Sequence, residues 1–120
     1  MIPIHRGDIV LVNLPFIQDL SKSKARPALV VQNDIGNRFS SNTIVLSITS
    51  MVPSKTYPTH YKIKAESRIG KNAGITKDSI VQAETILTIP QSLIAKKLGS
   101  LPQTAMDEIE KRIKISLALK

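Results

Sequence analysis

The stretch ARPALVVQNDIGNRFSSNTIVLSIT, residues Ala25 to Thr49, holds two strands of different kinds with a turn between them. Ala28 to Val31 is an unbroken apolar run of strand length, the pattern of a strand with no solvent-facing side. Arg26 precedes Pro27, which disfavours the helical region and holds the arginine extended at the strand's mouth. Asn33-Asp34-Ile35-Gly36-Asn37 reads as a turn. The next strand alternates: Ile44, Leu46 and Ile48 point one way, and Thr43, Val45, Ser47 and Thr49 the other. One of its faces is therefore a core face, and the other carries hydroxyls towards the C-terminal end.

Outward from that pair the same texture continues. Upstream, Ile9 to Val12 is another continuous apolar run, followed by a long polar loop from Pro15 to Ala25. Downstream, His60 to Ala65 sets Tyr61 and Ile63 against His60, Lys62 and Lys64. Ser79 to Ala83 reads as a strand that Glu84 to Ile89 either continues or follows as the next. Pro90 punctuates, a short turn spans Gln91 to Leu93, and a strand is expected near Lys96 to Leu98. The one helix expected runs from about Pro102 to Leu119, with Asp107 and Glu108 ahead of Lys111, Arg112 and Lys114, the order the helix dipole favours. Met106, Ile109, Ile113 and Leu117 make its apolar stripe, suited to core or dimer contact. Short apolar runs separated by turns describe a mainly β (α+β) chain, expected to be a single domain over residues 1–120.

Composition narrows the partner. Seventeen Lys and Arg against nine Asp and Glu give the 120 residues a net charge of +8, with a pI near 10.0. A surplus of that size attracts polyanions. Aromatics are only 3%, namely Phe16, Phe39, Tyr57 and Tyr61, so a nucleic acid would be gripped by charge and hydrogen bonds rather than by stacking. With no cysteine, disulfides and zinc–thiolate sites are out of reach. Arg6 and Asp8 interrupt any leader-like start, and no apolar stretch approaches the ~20 residues of a membrane span. A soluble, cytoplasmic protein without membrane contact is expected.

The chain carries no Cys/His nucleophile pair, no glycine-rich phosphate loop and no helical His-Glu-x-x-His. His5 and His60 each read as surface residues when taken singly. On residues alone, Arg26 is equally a solvated strand-edge charge and Thr49 an ordinary β-former.

Several blocks in order resemble the MazF/PemK family of toxins from bacterial toxin–antitoxin pairs. These are Arg6-Gly7-Asp8-Ile9-Val10, Arg26-Pro27 with Ala28 to Val31, QNDIGNRFS from Gln32 to Ser40, Ile48-Thr49, Pro58-Thr59-His60, and Ile115 to Leu119. The resemblance implies an SH3-like barrel of the MazF/PemK/CcdB type with a C-terminal helix, forming a homodimer. It implies a sequence-specific endoribonuclease, an mRNA interferase that cuts single-stranded mRNA with no metal and no cofactor. It also implies a cognate antitoxin, which the basic surface suggests is acidic, with DNA met only through that partner. The family's catalytic arginine and threonine fall on Arg26 and Thr49. Candidate RNA contacts are Lys22 and Lys24 in the polar loop, Asn37 and Arg38 in the most specific block, Ser50 beside Thr49, and His60.

RNA brings its own nucleophile, since the 2′-hydroxyl attacks the adjacent phosphate to leave a 2′,3′-cyclic phosphate and a 5′-hydroxyl. The protein then supplies orientation and donors aimed at the charge on phosphorus. Arg26, protonated at any ordinary pH, suits electrostatic stabilisation better than proton transfer; Asp19, His60 and solvent are the candidate bases. Two segments depart from the family pattern. The loop FIQDLSKSKA lacks the glutamate of the family's Gly-Ser-Glu-Gln, and Thr85 and Leu87 stand where glutamine and arginine are common. Two other readings use the same framework. A gyrase poison on this barrel would want a C-terminal tryptophan, and the chain has none. A homologue that binds RNA or antitoxin without cutting is the other.

Overall fold

The structure, a computed structural model, describes residues 2–16 and 19–120, with the side chains of residues 14–24 outside the described set. In chain order the elements are β1 (Asp8–Phe16), β2 (Asp19–Val30), α1 (Asp34–Phe39), β3 (Asn42–Thr49), β4 (His60–Ile63), α2 (Arg68–Ala73), β5 (Ser79–Pro90), a 3₁₀ turn (Gln91–Leu93), β6 (Ile94–Ser100) and α3 (Gln103–Ser116). All strand pairs are antiparallel, in the order β4-β5-β3-β2-β1-β6. The fold is mainly β with a C-terminal helix, as the sequence led us to expect.

The unbroken apolar runs have a direct explanation. Successive residues of β1, β2 and β3 enter two different cores, one on each face of the sheet. Ile9, Leu29 and Leu46 join Met106 and Ile109 of α3 and Ala73 of α2 on one side. Val10, Val12, Ala28, Val30 and Val45 pack with Ile4, Ile89 and Ile94 on the other. A strand buried on both faces has no reason to alternate in polarity. The second face of β3 is thus less polar than its hydroxyls suggested. Thr43 and Val45 are buried there, and only Ser47 and Thr49 near the end are half-buried.

Three further differences have local causes. The segment expected as a loop from Pro15 to Ala25 is mostly strand: β2 begins at Asp19, and Pro15 and Leu14 pair with Ser23 and Lys24. Hairpin arms are held by backbone hydrogen bonds, so polar sequence does not forbid them. The turn at Asn33 to Asn37 is the start of α1, because the same residue types cap helices: the Asn33 side chain accepts from the Gly36 N–H at 2.7 Å. Helix α2 has six residues, too few to show a period, and is defined by its ends. Ser67 caps it, and Gly74 closes it at φ +73°, a conformation that costs other residues. A Cβ on Gly74 would lie 2.1 Å from the Leu98 carbonyl oxygen, so α2 and β6 touch backbone to backbone there.

Glu84 to Ile89 continue the preceding strand, making β5 twelve residues long. Its pairing with β3 slips between Leu46↔Ile86 and Ser47↔Gln82. Such an irregularity bends the strand, and Ala83, Glu84 and Thr85 sit at the bend. On α3, Met106 and Ile109 are buried as the stripe predicted, but Leu117 is 53% exposed.

Candidate nucleic-acid interface

Strand register places the two proposed catalytic residues. β2 and β3 pair through Val30↔Val45, Leu29↔Leu46 and Ala28↔Ser47. The pairing ends at Ala28↔Ser47; two residues beyond it on each strand stand Arg26 and Thr49, which by alternation share the face of Ala28 and Ser47. Each is also held from its far side, Arg26 by Val12 and Thr49 by Ile80. Arg26 and Thr49 are both half-buried. The Thr49 Oγ1 accepts the Met51 N–H at 3.1 Å, which leaves its own proton to donate to an anion.

One row further in, the face runs His60, Gln82, Ser47, Ala28 across β4, β5, β3 and β2. His60, expected at the surface, has a side chain only 3% exposed. Its Nε2 lies 2.8 Å from Glu84 Oε2, and its Nδ1 accepts the Tyr57 N–H at 3.3 Å. That second bond puts the neutral ring's proton on Nε2, so His60 donates to Glu84. Thr59 Oγ1 donates to the other Glu84 oxygen at 2.9 Å. Burial opposes ionisation of Glu84, but its own backbone N–H and the hydrogen bonds from His60 and Thr59 outweigh it. The carboxyl is held below its ordinary 4.5. The sequence offers Glu84 only as part of a strand segment, and its pairing with His60 carries no sequence signal because the two lie on different strands.

The other candidates scatter. Ser50 is exposed next to Thr49. Arg38 is exposed, with its guanidinium 5.3 Å from the Phe39 ring, beside a hollow lined by Ile4, His5, Asp34 and Ile35. Asn37 is 6% exposed, and its side chain is occupied within the protein. It accepts from Thr43 Oγ1 at 2.7 Å and Gln32 Nε2 at 3.1 Å, and donates to the Gln32 carbonyl and Asp34. The structure thus does not bring Asn37 to an RNA surface. Lys22, Lys24 and Asp19 have side chains outside the described residues.

The Arg6-Gly7-Asp8 block is a structural corner. Arg6 reaches the Val31 carbonyl and pairs with Glu110 of α3 at 3.0 Å, while buried Asp8 pairs with Lys97 of β6 at 3.1 Å. Among the described residues, no three His, Cys, Asp or Glu gather as metal ligands would. None of the described helices is long and apolar enough to cross a membrane.

Residues 5–117 match the PemK-like, MazF-like toxins of type II toxin–antitoxin systems. The chain belongs to this family. One relative, endoribonuclease EndoA of Bacillus subtilis (strain 168), is 37% identical over 116 residues, spanning 97% of this chain and 96% of that protein. An endoribonuclease from a mycobacterial species, solved with its cognate antitoxin, superposes over 98% of this chain and 97% of its own. Its TM-score is 0.76 at 21% identity. MazE–MazF from Deinococcus radiodurans aligns over 100% of both chains with a TM-score of 0.77 at 18% identity. At those identities the solved toxins speak for the fold, and the MazF/PemK barrel expected from the sequence is the one observed.

Proposed function

We propose that this toxin cuts single-stranded mRNA at a short sequence without a metal ion, Arg26 and Thr49 steadying the phosphate that reacts. That it is an endoribonuclease of a toxin–antitoxin system follows from its family and its identity to EndoA. What supports the finer reading is that Arg26 and Thr49 each stand two residues past the Ala28↔Ser47 pair, on the same face of neighbouring strands.

In the proposed step the ribose 2′-oxygen bonds to phosphorus as the bond from phosphorus to the 5′-oxygen breaks. The 2′-hydroxyl proton leaves to a base, and a proton reaches the departing 5′-oxygen. Charge builds on the phosphate oxygens, where the Arg26 guanidinium offers a two-pronged fork and Thr49 a single donor. Neither residue needs to change its own protonation.

The dimer is proposed to form on an apolar groove beside α3, lined by Val31, Ile44, Ile86, Ile113, Leu117 and Leu119. The antitoxin is proposed to be an acidic segment that covers the basic face. The test is to incubate the purified protein with a long RNA in EDTA and map the ends. New 5′-hydroxyl ends at one recurring sequence, lost in Arg26→Ala and Thr49→Ala, are expected. Full activity in a folded Arg26→Ala protein overturns the assignment.

A further inference from the structure

The basic charge of this chain is not spread evenly. Arg6, Lys97, Lys111 and Arg112 each have a carboxylate at 3.0–3.2 Å. Residues 55–77 are different, holding Lys55, Lys62, Lys64, Arg68, Lys71 and Lys77 against the single acid Glu66. Lys62 and Lys64 are exposed and have no carboxylate within 4.0 Å among the described residues. Exposed ammonium groups without a partner leave their field pointing at solvent, where a polyanion can replace small counterions.

Position makes this specific. Lys62 lies on β4, one of the two edge strands of the sheet. It pairs with Ile80, which pairs on its other side with Thr49. Lys62, Ile80 and Thr49 therefore form one row, side chains on one face, with Lys62 about 10 Å from Thr49 at two strand spacings. Ile80 is fully buried, so other protein groups cover the row between them, and RNA reaching from Thr49 to Lys62 would run over that cover. Lys64 follows two residues on. It shares a surface hollow with Lys77, Glu66 and Asp78, so its field is partly offset and Lys62 is the freer cation.

We propose that Lys62, on the edge strand, and Lys64, just past its end, form a phosphate track that holds the RNA beyond the cut. They extend the footprint of the site without taking part in the chemistry. The inference rests on reading Arg26 and Thr49 as the reacting centre.

The experiment reads binding apart from cleavage. A long unstructured 2′-O-methyl RNA, which lacks the attacking hydroxyl, is titrated against wild-type protein and Lys62→Gln/Lys64→Gln over a range of salt. Loss of two phosphate contacts should flatten the slope of log K against log salt by about 1.4, at ~0.7 per contact on single strands. On cleavable RNA, KM should rise several-fold on a long substrate with kcat unchanged. A short RNA holding only the mapped cut site should be cut as by wild type.

An unchanged salt slope, or equal losses on short and long RNA, overturns the track. So does an unchanged slope with weakened binding of the antitoxin, which would assign the lysines to the protein partner. Wild-type protein that leaves RNA intact would remove the cleavage reading alone, because the slope is measured on RNA that cannot be cut.

Discussion

His60 Nε2 of β4 lies 2.8 Å from Glu84 Oε2 of β5, at the bend where β5 changes register against β3. The pair fixes the end of the segment joining β3 to β4, since the same ring also takes the Tyr57 N–H. Tyr57 stands edge-on to it, with ring centroids 5.2 Å apart.

Removing the ring should therefore loosen the corner. His60→Ala is expected to lower the unfolding free energy by about 2 kcal/mol, from lost packing and the Tyr57 N–H left without its acceptor. Urea denaturation checks it. A midpoint equal to wild type would show that the ring contributes nothing.

Glu84 makes the corner sensitive to acid. Its carboxyl is depressed below 4.5 in the folded protein, so its contribution to stability is complete above that value. It is lost as pH falls through the lower, folded value. Wild type and Glu84→Gln should differ in Tm at neutral pH and converge below pH 4.5. Parallel curves through the acid range would contradict the assignment.

Asn37 should behave as part of the core. Asn37→Ala leaves the buried Thr43 hydroxyl without its acceptor and the Gln32 amide with only the Asn42 carbonyl, and is expected to cost about 2–4 kcal/mol. RNA affinity per folded molecule should be unchanged. Selective loss of RNA binding at wild-type stability would restore it as a contact residue.

Gly74→Ala meets both a left-handed backbone and the Leu98 carbonyl. A loss of about 2–4 kcal/mol is expected, visible as a lowered Tm. Stability equal to wild type would mean that α2 and β6 separate freely.

Arg26→Lys keeps the charge and removes the fork. Cleavage is expected to fall about 100-fold or more, by the scale of losing one preorganised donor. Single-turnover rates measure it, and near-wild-type rates would reduce the role to bulk charge.

How much of this was legible in the sequence depended on the range of the interaction. The runs Ile9 to Val12 and Ala28 to Val31 announced strands buried on both faces, because burial is written residue by residue. Helix α3 was visible for the same reason, through its period. The polar arm of β2 was not, since backbone pairing leaves no mark on side-chain polarity. Helix α2 is written only in its caps, Ser67 and Gly74. At the site, Arg26 and Thr49 came from the family pattern, and each stands two residues past the end of the β2–β3 pairing. The partnership of His60 with Glu84 bridges two strands across a bend, and no local pattern records it. Asn37 lies in the most specific block of the family pattern, yet its amide is taken up by Thr43, Gln32 and Asp34, and those partnerships leave no mark on the sequence.

Gln91, buried after the last residue of β5, holds its amide nitrogen within 3.2 Å of the carbonyls of Asn37, Ser40 and Asn42, one of its two protons shared between two of them. Its own N–H goes to Ser41. Helix α1 is only six residues long, yet its exit is stitched to a corner fifty residues away in the chain. Amide protons around Ser40 and Asn42 should thus exchange as slowly as those of the sheet, and α1 should open only when the barrel does. A surface helix of two turns would then report on the unfolding of the whole molecule.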